Sequence, residues 1–504
     1  MANPMPNCHV VAMPYPGRGH INPMLNLCRL ILSSRPDILV SFIVTDEWLG
    51  FLTASPPPTP LPPNFRFLSI PNVIPSEIGR AKDFRGFYEA TVTKMEAPVE
   101  QLLDQLPPPM PRVIIYDTYL SWVVAVGNRR NIPVASLYTM SATVFSIFHH
   151  FNHIRNRHSS PNLSDEQEKE QLVNYIPGVP SMRAVDLPTP FGGKGREVLP
   201  RALEAINLVP KAQYLLFTSV YELESQVLDD LAQKLPLKIY SLGLAIPYLD
   251  VETTTPTKPD YMRWLDAQPV GSVLYISQGS FLSVSNAQLD EIIAGVRCTG
   301  VRFLWVGRGE HDGAEGNGIV VPWCDQLKVL CHPSVGGFWS HCGWNSTKEG
   351  AFAGVPMLTF PIFWDQVTNS KMIVDDWKMG LRVKKDDESV VTRDEVARIV
   401  LRLMDSESEE GKERMRRVKE IRDMCRNACA GGGSSETDIL AFVRDISELV
   451  EGELKEFTLA FLEEALGMEE AGHFPLDSLE ARVPLENLDG GVSTARPLKL
   501  FITN

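Results

Sequence analysis

Residues 323–366 read W-C-D-Q-L-K-V-L-C-H-P-S-V-G-G-F-W-S-H-C-G-W-N-S-T-K-E-G-A-F-A-G-V-P-M-L-T-F-P-I-F-W-D-Q. The apolar run 335–339 has the length of a buried strand. It leads into His341-Cys342-Gly343-Trp344-Asn345-Ser346, and beyond that the apolar residues recur at helical spacing. A strand, a tight turn and a helix start follow one another, and a second apolar run at 356–360 continues the sheet. This order predicts a parallel α/β sheet with helices on its faces.

The same stretch supplies what a UDP-sugar needs. Helix N-termini present unpaired N–H groups and partial positive charge, so the start near Asn345 and Ser346, with His341 beside it, suits a diphosphate. Trp323 offers a plane for a base, a contact worth roughly 1–3 kcal/mol by analogy with nucleic-acid stacking. Gln326 lies close enough in sequence to help hold that base. Glu349 is spaced to accept two vicinal ribose hydroxyls, and Asp365 and Gln366 can bond a hexose. Each residue also has a plainer reading. Ser346-Thr347-Lys348-Glu349 fits a capping box, Trp323 fits a core aromatic, and His341 fits a hydrogen-bonded strand end. Cys324, Cys331, His332, His341 and Cys342 lack paired metal-ligand spacing, so no metal site is expected.

Outward from this stretch, both halves alternate strands with helical patterns. Strands are expected at 9–13, 39–45, 65–70, 113–116 and 134–138, then at 272–277 and 301–306. Ser285-Asn286-Ala287-Gln288 reads as a capping box. The polar segment 251–259 reads as a linker between an acceptor-binding domain, 1–250, and a UDP-sugar-binding domain, 260–450. Two doubly wound domains would face each other across a cleft at the carboxyl ends of their strands. The Pro-rich runs 55–63 and 107–111 are expected to be stiff surface loops, and 155–171 a polar excursion. A last helix at 435–448 is expected to pack back on the first domain. An acidic tail, 451–504, follows, with a helical piece at 452–470.

Transfer to a hydroxyl needs a base. Pro14-Tyr15-Pro16-Gly17-Arg18-Gly19-His20-Ile21-Asn22-Pro23 follows the first strand and leaves His20 at a helix start, which favours neutral imidazole. Asp117, ending the strand at 113–116, is placed to back it, as carboxylate backs imidazole in a hydrolytic triad. Both residues could instead be simple helix caps. No D-x-D occurs in the chain, so the leaving group's charge would fall to His341, the helix start at Asn345 and the Gly279-Ser280 turn.

Taken together, the W-x-x-Q start, the H-C-G-W-N-S centre, the Glu three residues on and the final D-Q resemble the signature box of plant secondary-product UDP-glycosyltransferases. The likeness extends over roughly residues 8 to 450, and G-x-G-H-I-x-P with an Asp near 117 matches the family's catalytic pair. It implies a GT-B fold and inverting, metal-independent transfer from a UDP-sugar to a small hydroxylated acceptor. Carried over, it makes His20 and Asp117 catalytic and stacks uracil on Trp323. It sets Glu349 on the ribose, and His341, Asn345 and Ser346 on the diphosphate, with Ser280 a further phosphate contact. It faces Trp344, Asp365 and Gln366 to the sugar. A terminal Gln tends to accompany UDP-glucose in this family. The chain departs from the family's W-A-P-Q at Cys324-Asp325, which is expected to loosen the turn after the Trp. It departs from F-G-S at Gln278, and by continuing to Asn504.

At 504 residues, 44% apolar and 22% charged, the chain suits two globular domains. Its net charge of −14 argues against nucleic-acid binding. No run approaches the length of a membrane span, and residues 1–9 lack a secretory pattern. A cytoplasmic monomer with reduced cysteines is expected. Tyr15, Trp122, Met140, Phe145 and Phe148 are candidate walls of the acceptor pocket. The competing readings are a non-catalytic UDP-sugar binder and an NAD-type oxidoreductase. His20 and Asp117 disfavour the first, and the missing third glycine of G-x-G-x-x-G disfavours the second.

Overall fold

The computed structural model describes residues 8–54, 60–158, 169–191, 195–252, 258–279, 284–307, 317–383 and 390–447. In its first half lie β1 Cys8–Met13, β2 Ile38–Thr45, β3 Phe65–Ile70, β4 Val113–Asp117, β5 Val134–Tyr138, β6 Leu172–Val173, β7 Met182–Arg183, β8 Tyr214–Phe217 and β9 Lys238–Ser241. All but the small antiparallel pair β6–β7 join one parallel sheet, ordered β3-β2-β1-β4-β5-β8-β9. The second half contributes β10 Val273–Ser277, β11 Arg302–Val306, β12 Gly318–Val321, β13 Val335–Ser340, β14 Met357–Thr359 and β15 Gly380–Arg382. They form a second parallel sheet, ordered β12-β11-β10-β13-β14-β15. This is the doubly wound α/β architecture of the GT-B fold.

The near-continuous apolar strands follow from burial on both faces. Along β1, Val11 and Met13 join one core with Ile114 and Tyr116, while Val10 and Ala12 join another with Val113 and Ile115. In the second sheet Tyr275 and Phe338 face one core, and Leu274, Ile276 and Trp339 the other. This is the two-residue period of a strand.

Strand order reverses between β1 and β4 in the first sheet and between β10 and β13 in the second. Met13 pairs with Tyr116, and Ser277 with Ser340. The carboxyl ends of these four strands therefore open two crevices, where ligands of such sheets bind. Loops 14–17, 118–122, 278–279 and 341–343 leave from them.

The final helix, Ser434–Ser447, returns to the first sheet. Ile439, Phe442, Val443 and Ile446 share a core with Val10, Val40 and Leu216, and Asp445 accepts from Tyr240 Oη (2.5 Å) and Lys238 Nζ (2.8 Å). The anticipated tail 451–504 with its helical piece 452–470, and parts of the runs 55–63, 155–171 and 251–259, lie outside the described residues. Residues 155–158, the start of the expected excursion, instead complete the helix Phe151–His158. Ser285 caps its helix through Gln288 N–H (3.3 Å), but no box forms. The Gln288 amide is engaged by the backbone of Val391, at 2.8 and 3.0 Å.

Candidate active site

After β1 the chain turns through Tyr15, Pro16 and Gly17 into the helix Arg18–Ser34. The N–H groups of His20 and Ile21 both donate to the Gly17 carbonyl at 2.9 Å. Gly17 is extended (φ −162°), so it is needed for space: a Cβ there would stand 2.1 Å from Arg80 Nη1. His20 Nδ1 lies 2.7 Å from Asp117 Oδ2 at the end of β4. Asp117 Oδ1 accepts the Tyr119 N–H at 3.1 Å. Thr139, just past β5, brings its hydroxyl to 2.9 Å from His20 Nδ1 and 3.5 Å from Asp117 Oδ2. A carboxylate this close holds the imidazole proton on Nδ1 and leaves the lone pair on Nε2. The Asp117 side chain is 1% exposed and His20 17%, so the imidazole is the member of the pair open to a ligand.

Aromatic rings continue from His20. Its ring centroid is 5.0 Å from Tyr15 and 6.2 Å from Tyr119. Tyr119 meets Tyr88 and Trp364, at 6.1 and 6.2 Å. Trp364 stacks on Phe148 at 5.9 Å and meets Phe84 at 6.0 Å. Of the anticipated pocket walls, Tyr15 and Phe148 are in this group, and Met140 touches it through Tyr119 Oη (3.9 Å). Phe145 is instead core, fully buried between Tyr138 and Phe217. Trp122 is buried with its indole N–H unpartnered.

In the second sheet the helix after β13 spans Trp344–Ala353, with Gly343 as its N-cap. It begins two residues before Ser346, so Ser346 to Glu349 is not a capping box. The side chains meet Gln326 instead. Its amide nitrogen donates to Ser346 Oγ (2.9 Å) and Glu349 Oε2 (2.5 Å), and its oxygen accepts from Tyr275 Oη (3.0 Å). Burial raises the Glu349 carboxyl to about 7, the Gln326 bond opposing the rise. Trp323 stands in the preceding loop, 63% exposed. The expected looseness of this turn is corrected by Asp325. Its side chain caps the next helix through Lys328 N–H (3.3 Å), and its own N–H, which a proline would lack, donates to Tyr261 Oη (3.1 Å).

His341 packs against two glycines. A Cβ on Gly279 would stand 2.6 Å from its Nε2, and one on Gly343 2.5 Å. Cys342, between His341 and Gly343, adopts φ +63°, a conformation uncommon outside glycine, and Asn369 Nδ2 donates to its carbonyl at 2.9 Å. Asn345 Nδ2 reaches the Gly19 carbonyl of the first half at 2.8 Å. The Trp344 indole is buried and donates to Thr218 O at 3.0 Å. Its side chain is therefore taken up by packing.

At the end of the box, Asp365 is buried, accepts from Asn369 Nδ2 (2.7 Å), and is raised by burial to about 6. Gln366 Oε1 accepts the N–H groups of Ile362 and Phe363, at 2.8 and 3.0 Å. Trp364 (φ +63°) exchanges hydrogen bonds with Thr189, donating to its hydroxyl at 2.8 Å and accepting its N–H at 3.0 Å. Ser280 lies outside the described residues.

Residues 244–422 match the model of the UDP-glucoronosyl and UDP-glucosyl transferase family. Over 447 residues, 87% of this chain and 97% of the relative, the sequence is 50% identical to UDP-glycosyltransferase 87A2 of Arabidopsis thaliana. The chain belongs to the UDP-glycosyltransferase family. It is thus an enzyme that transfers a glycosyl group from a UDP-sugar to a small acceptor. UDP-glycosyltransferase 87A1 of the same plant is 48% identical over 446 residues, 87% of this chain and all of the relative. Medicago truncatula UGT71G1 complexed with UDP-glucose superposes with a TM-score of 0.73 at 25% identity, covering 89% of this chain and all of that one. Phytolacca americana UGT2, complexed with UDP-2fluoro-glucose and pterostilbene, gives 0.72 at 26%, covering 88% and all. Nothing in these likenesses favours the non-catalytic reading.

Sequence reading of this glycosyltransferase missed Thr139, Tyr119, Tyr88, Phe84 and Trp364 around His20. Trp364 stood within the quoted box, directly before Asp365. The others lie on separate loops and helices with no local signal. Among the described residues no helix is long and apolar enough to cross a membrane, and no group of three or more His, Cys, Asp or Glu side chains could hold a metal ion.

Proposed function

We propose that this enzyme moves glucose from UDP-glucose to a hydroxyl of a small, largely apolar acceptor, with inversion and without a metal. The carrying observation is the hydrogen-bonded His20–Asp117 pair, held beside the donor helix by the 2.8 Å bond from Asn345 to Gly19. His20 Nε2 takes the acceptor hydroxyl proton as the oxygen attacks the anomeric carbon. Asp117 balances the imidazolium that forms, an arrangement of the kind that gives 10²–10⁴-fold in rate. A single displacement inverts the centre, and UDP leaves with the bonding electrons.

The first-turn N–H groups of the Trp344–Ala353 helix, with Ser346 and His341, receive the diphosphate charge. Trp323 stacks on uracil, and Glu349, steadied by Gln326, accepts the ribose hydroxyls. Asp365 accepts from the sugar, and the Gln366 amide nitrogen donates to it. The aromatic group of Tyr15, Tyr88, Tyr119, Phe148 and Trp364 receives the acceptor. The choice of glucose is supported by the closing D-Q and by the UDP-glucose bound in the Medicago relative. We assign the enzyme to the cytoplasm as a monomer, with acceptor and donor domains at 1–250 and 260–450.

The test is UDP release in EDTA from UDP-glucose and a panel of phenolic and terpenoid alcohols, for wild type and His20→Ala. Wild-type turnover with a loss of roughly 10²-fold or more in the variant is expected. Wild-type activity that requires added divalent metal contradicts the metal-free reading, and an undiminished His20→Ala contradicts the base.

A further inference from the structure

In an α-helix each carbonyl accepts the N–H four residues on. Within the helix Arg18–Ser34 the Gly19 carbonyl faces Pro23, which has no N–H to give. The carbonyl directly before His20 therefore lacks its helical donor, in the first turn of the helix that carries the base. Asn345 fills that place from the other half of the molecule, its Nδ2 donating to Gly19 O at 2.8 Å. Asn345 sits in the first turn of its own helix, Trp344–Ala353, and its Oδ1 is buried without a partner. One residue earlier, Trp344 Nε1 makes a second crossing, to Thr218 O at 3.0 Å.

We propose that Asn345 is a positioning residue for His20. Its bond to the carbonyl vacated by Pro23 ties the start of the base helix to the start of the donor helix. Asp117 fixes the imidazole end of His20, and Asn345 fixes its backbone end. One amide hydrogen of Asn345 is committed to Gly19, and the other remains for a donor oxygen. The base thus takes its catalytic position only when the donor helix is seated against it. Pro23 and Asn345 belong to one device although 322 positions separate them (345 − 23). The inference rests on the transfer chemistry proposed above.

A double-mutant cycle tests it. The rate at saturating UDP-glucose is compared for wild type, Asn345→Ala, His20→Ala and the double variant, with UDP affinity measured by calorimetry on each. If Asn345 acts through His20, its removal lowers the rate roughly 3- to 30-fold in the wild-type background and causes no further loss when His20 is absent. The acid limb of the rate–pH profile also moves. Pro23→Ala, which supplies the missing N–H, shrinks the Asn345→Ala loss to below about threefold. An equal loss in both backgrounds, or a loss matched by weakened UDP binding with an unmoved acid limb, overturns the proposal. A wild type that turns over no acceptor fails the transfer chemistry instead. The positioning role is then judged by NMR titration of the His20 imidazole, which Asn345→Ala shifts if the proposal holds and leaves unchanged if it does not.

Discussion

The proposed base site and the proposed donor site are finished to different degrees by the protein itself. At the base itself the polar groups satisfy one another: the His20 imidazole, the Asp117 carboxylate, the Thr139 hydroxyl and the Tyr119 N–H are hydrogen-bonded together, although the nearby Tyr88 hydroxyl is buried without a partner. Around the donor helix they do so only in part: Gln326 bonds Ser346 and Glu349, and Asn369 bonds Asp365. Trp323 is exposed, Asn345 Oδ1 is buried without a partner, and Glu349 and Asp365 are buried carboxylates pushed to about 7 and about 6. Unsatisfied buried groups cost about 1–3 kcal/mol each, and a nucleotide sugar carries the complementary atoms. On the proposed roles, the difference means that the base is preorganised by the fold, whereas the donor site is completed by its ligand.

The largest expected effect is on the base side. Asp117→Asn should lower turnover roughly 10²–10⁴-fold, because the imidazolium loses its counter-charge. Its UDP affinity should stay near that of wild type. A matching loss of affinity would break the separation between the two sites.

On the donor side, Trp323→Ala should weaken UDP binding by roughly 1–3 kcal/mol. The melting temperature should hardly change, since the side chain is 63% exposed. Marked destabilisation would return Trp323 to the role of core aromatic.

How much was legible beforehand differs between the same two regions. The donor box is contiguous, so its strand, turn and helix could be read from local pattern. The runs 65–70 and 134–138 match β3 and β5. Asp117 was visible because it ends a strand. Strands β8, β9, β12 and β15 were not anticipated; they are three or four residues long, too short for a clear period. Thr139 and Tyr88 join His20 only through the parallel crossovers, and no spacing signals that. The crossing bonds from Trp344 to Thr218 and from Trp364 to Thr189 are likewise products of tertiary packing. The first of them engages the indole of Trp344, a residue read from sequence as facing the sugar.

Lys348 sharpens the comparison through stability. It is fully buried on the donor helix with Nζ unpartnered, and burial lowers its pKa to about 7 against the raising charges of Glu349 and Glu224. A lysine whose folded pKa is depressed weakens folding increasingly as pH falls from its unfolded value towards about 7. Lys348→Met should therefore stabilise by about 1–4 kcal/mol near pH 7, and by less at pH 9. Denaturant melts at the two pH values would show it, and destabilisation at both would point to an undetected partner.

The smallest effect expected is a pH dependence of donor affinity. Ionised Glu349 can accept two ribose hydroxyls, and the protonated acid cannot. Binding of UDP-glucose should therefore weaken as pH drops below about 7, by up to tenfold per unit. Glu349→Gln should bind more weakly at pH 8 and flatten the profile. An unchanged slope would remove Glu349 from the ribose.

The most direct test of the central claim is UDP affinity by calorimetry in His20→Ala, set beside its rate of UDP release. A base that the fold, the seated donor helix included, holds in place and that makes no contact with UDP predicts a dissociation constant within about twofold of wild type while release falls roughly 10²-fold or more. A dissociation constant that weakens in step with the rate would contradict it, making His20 part of the donor site.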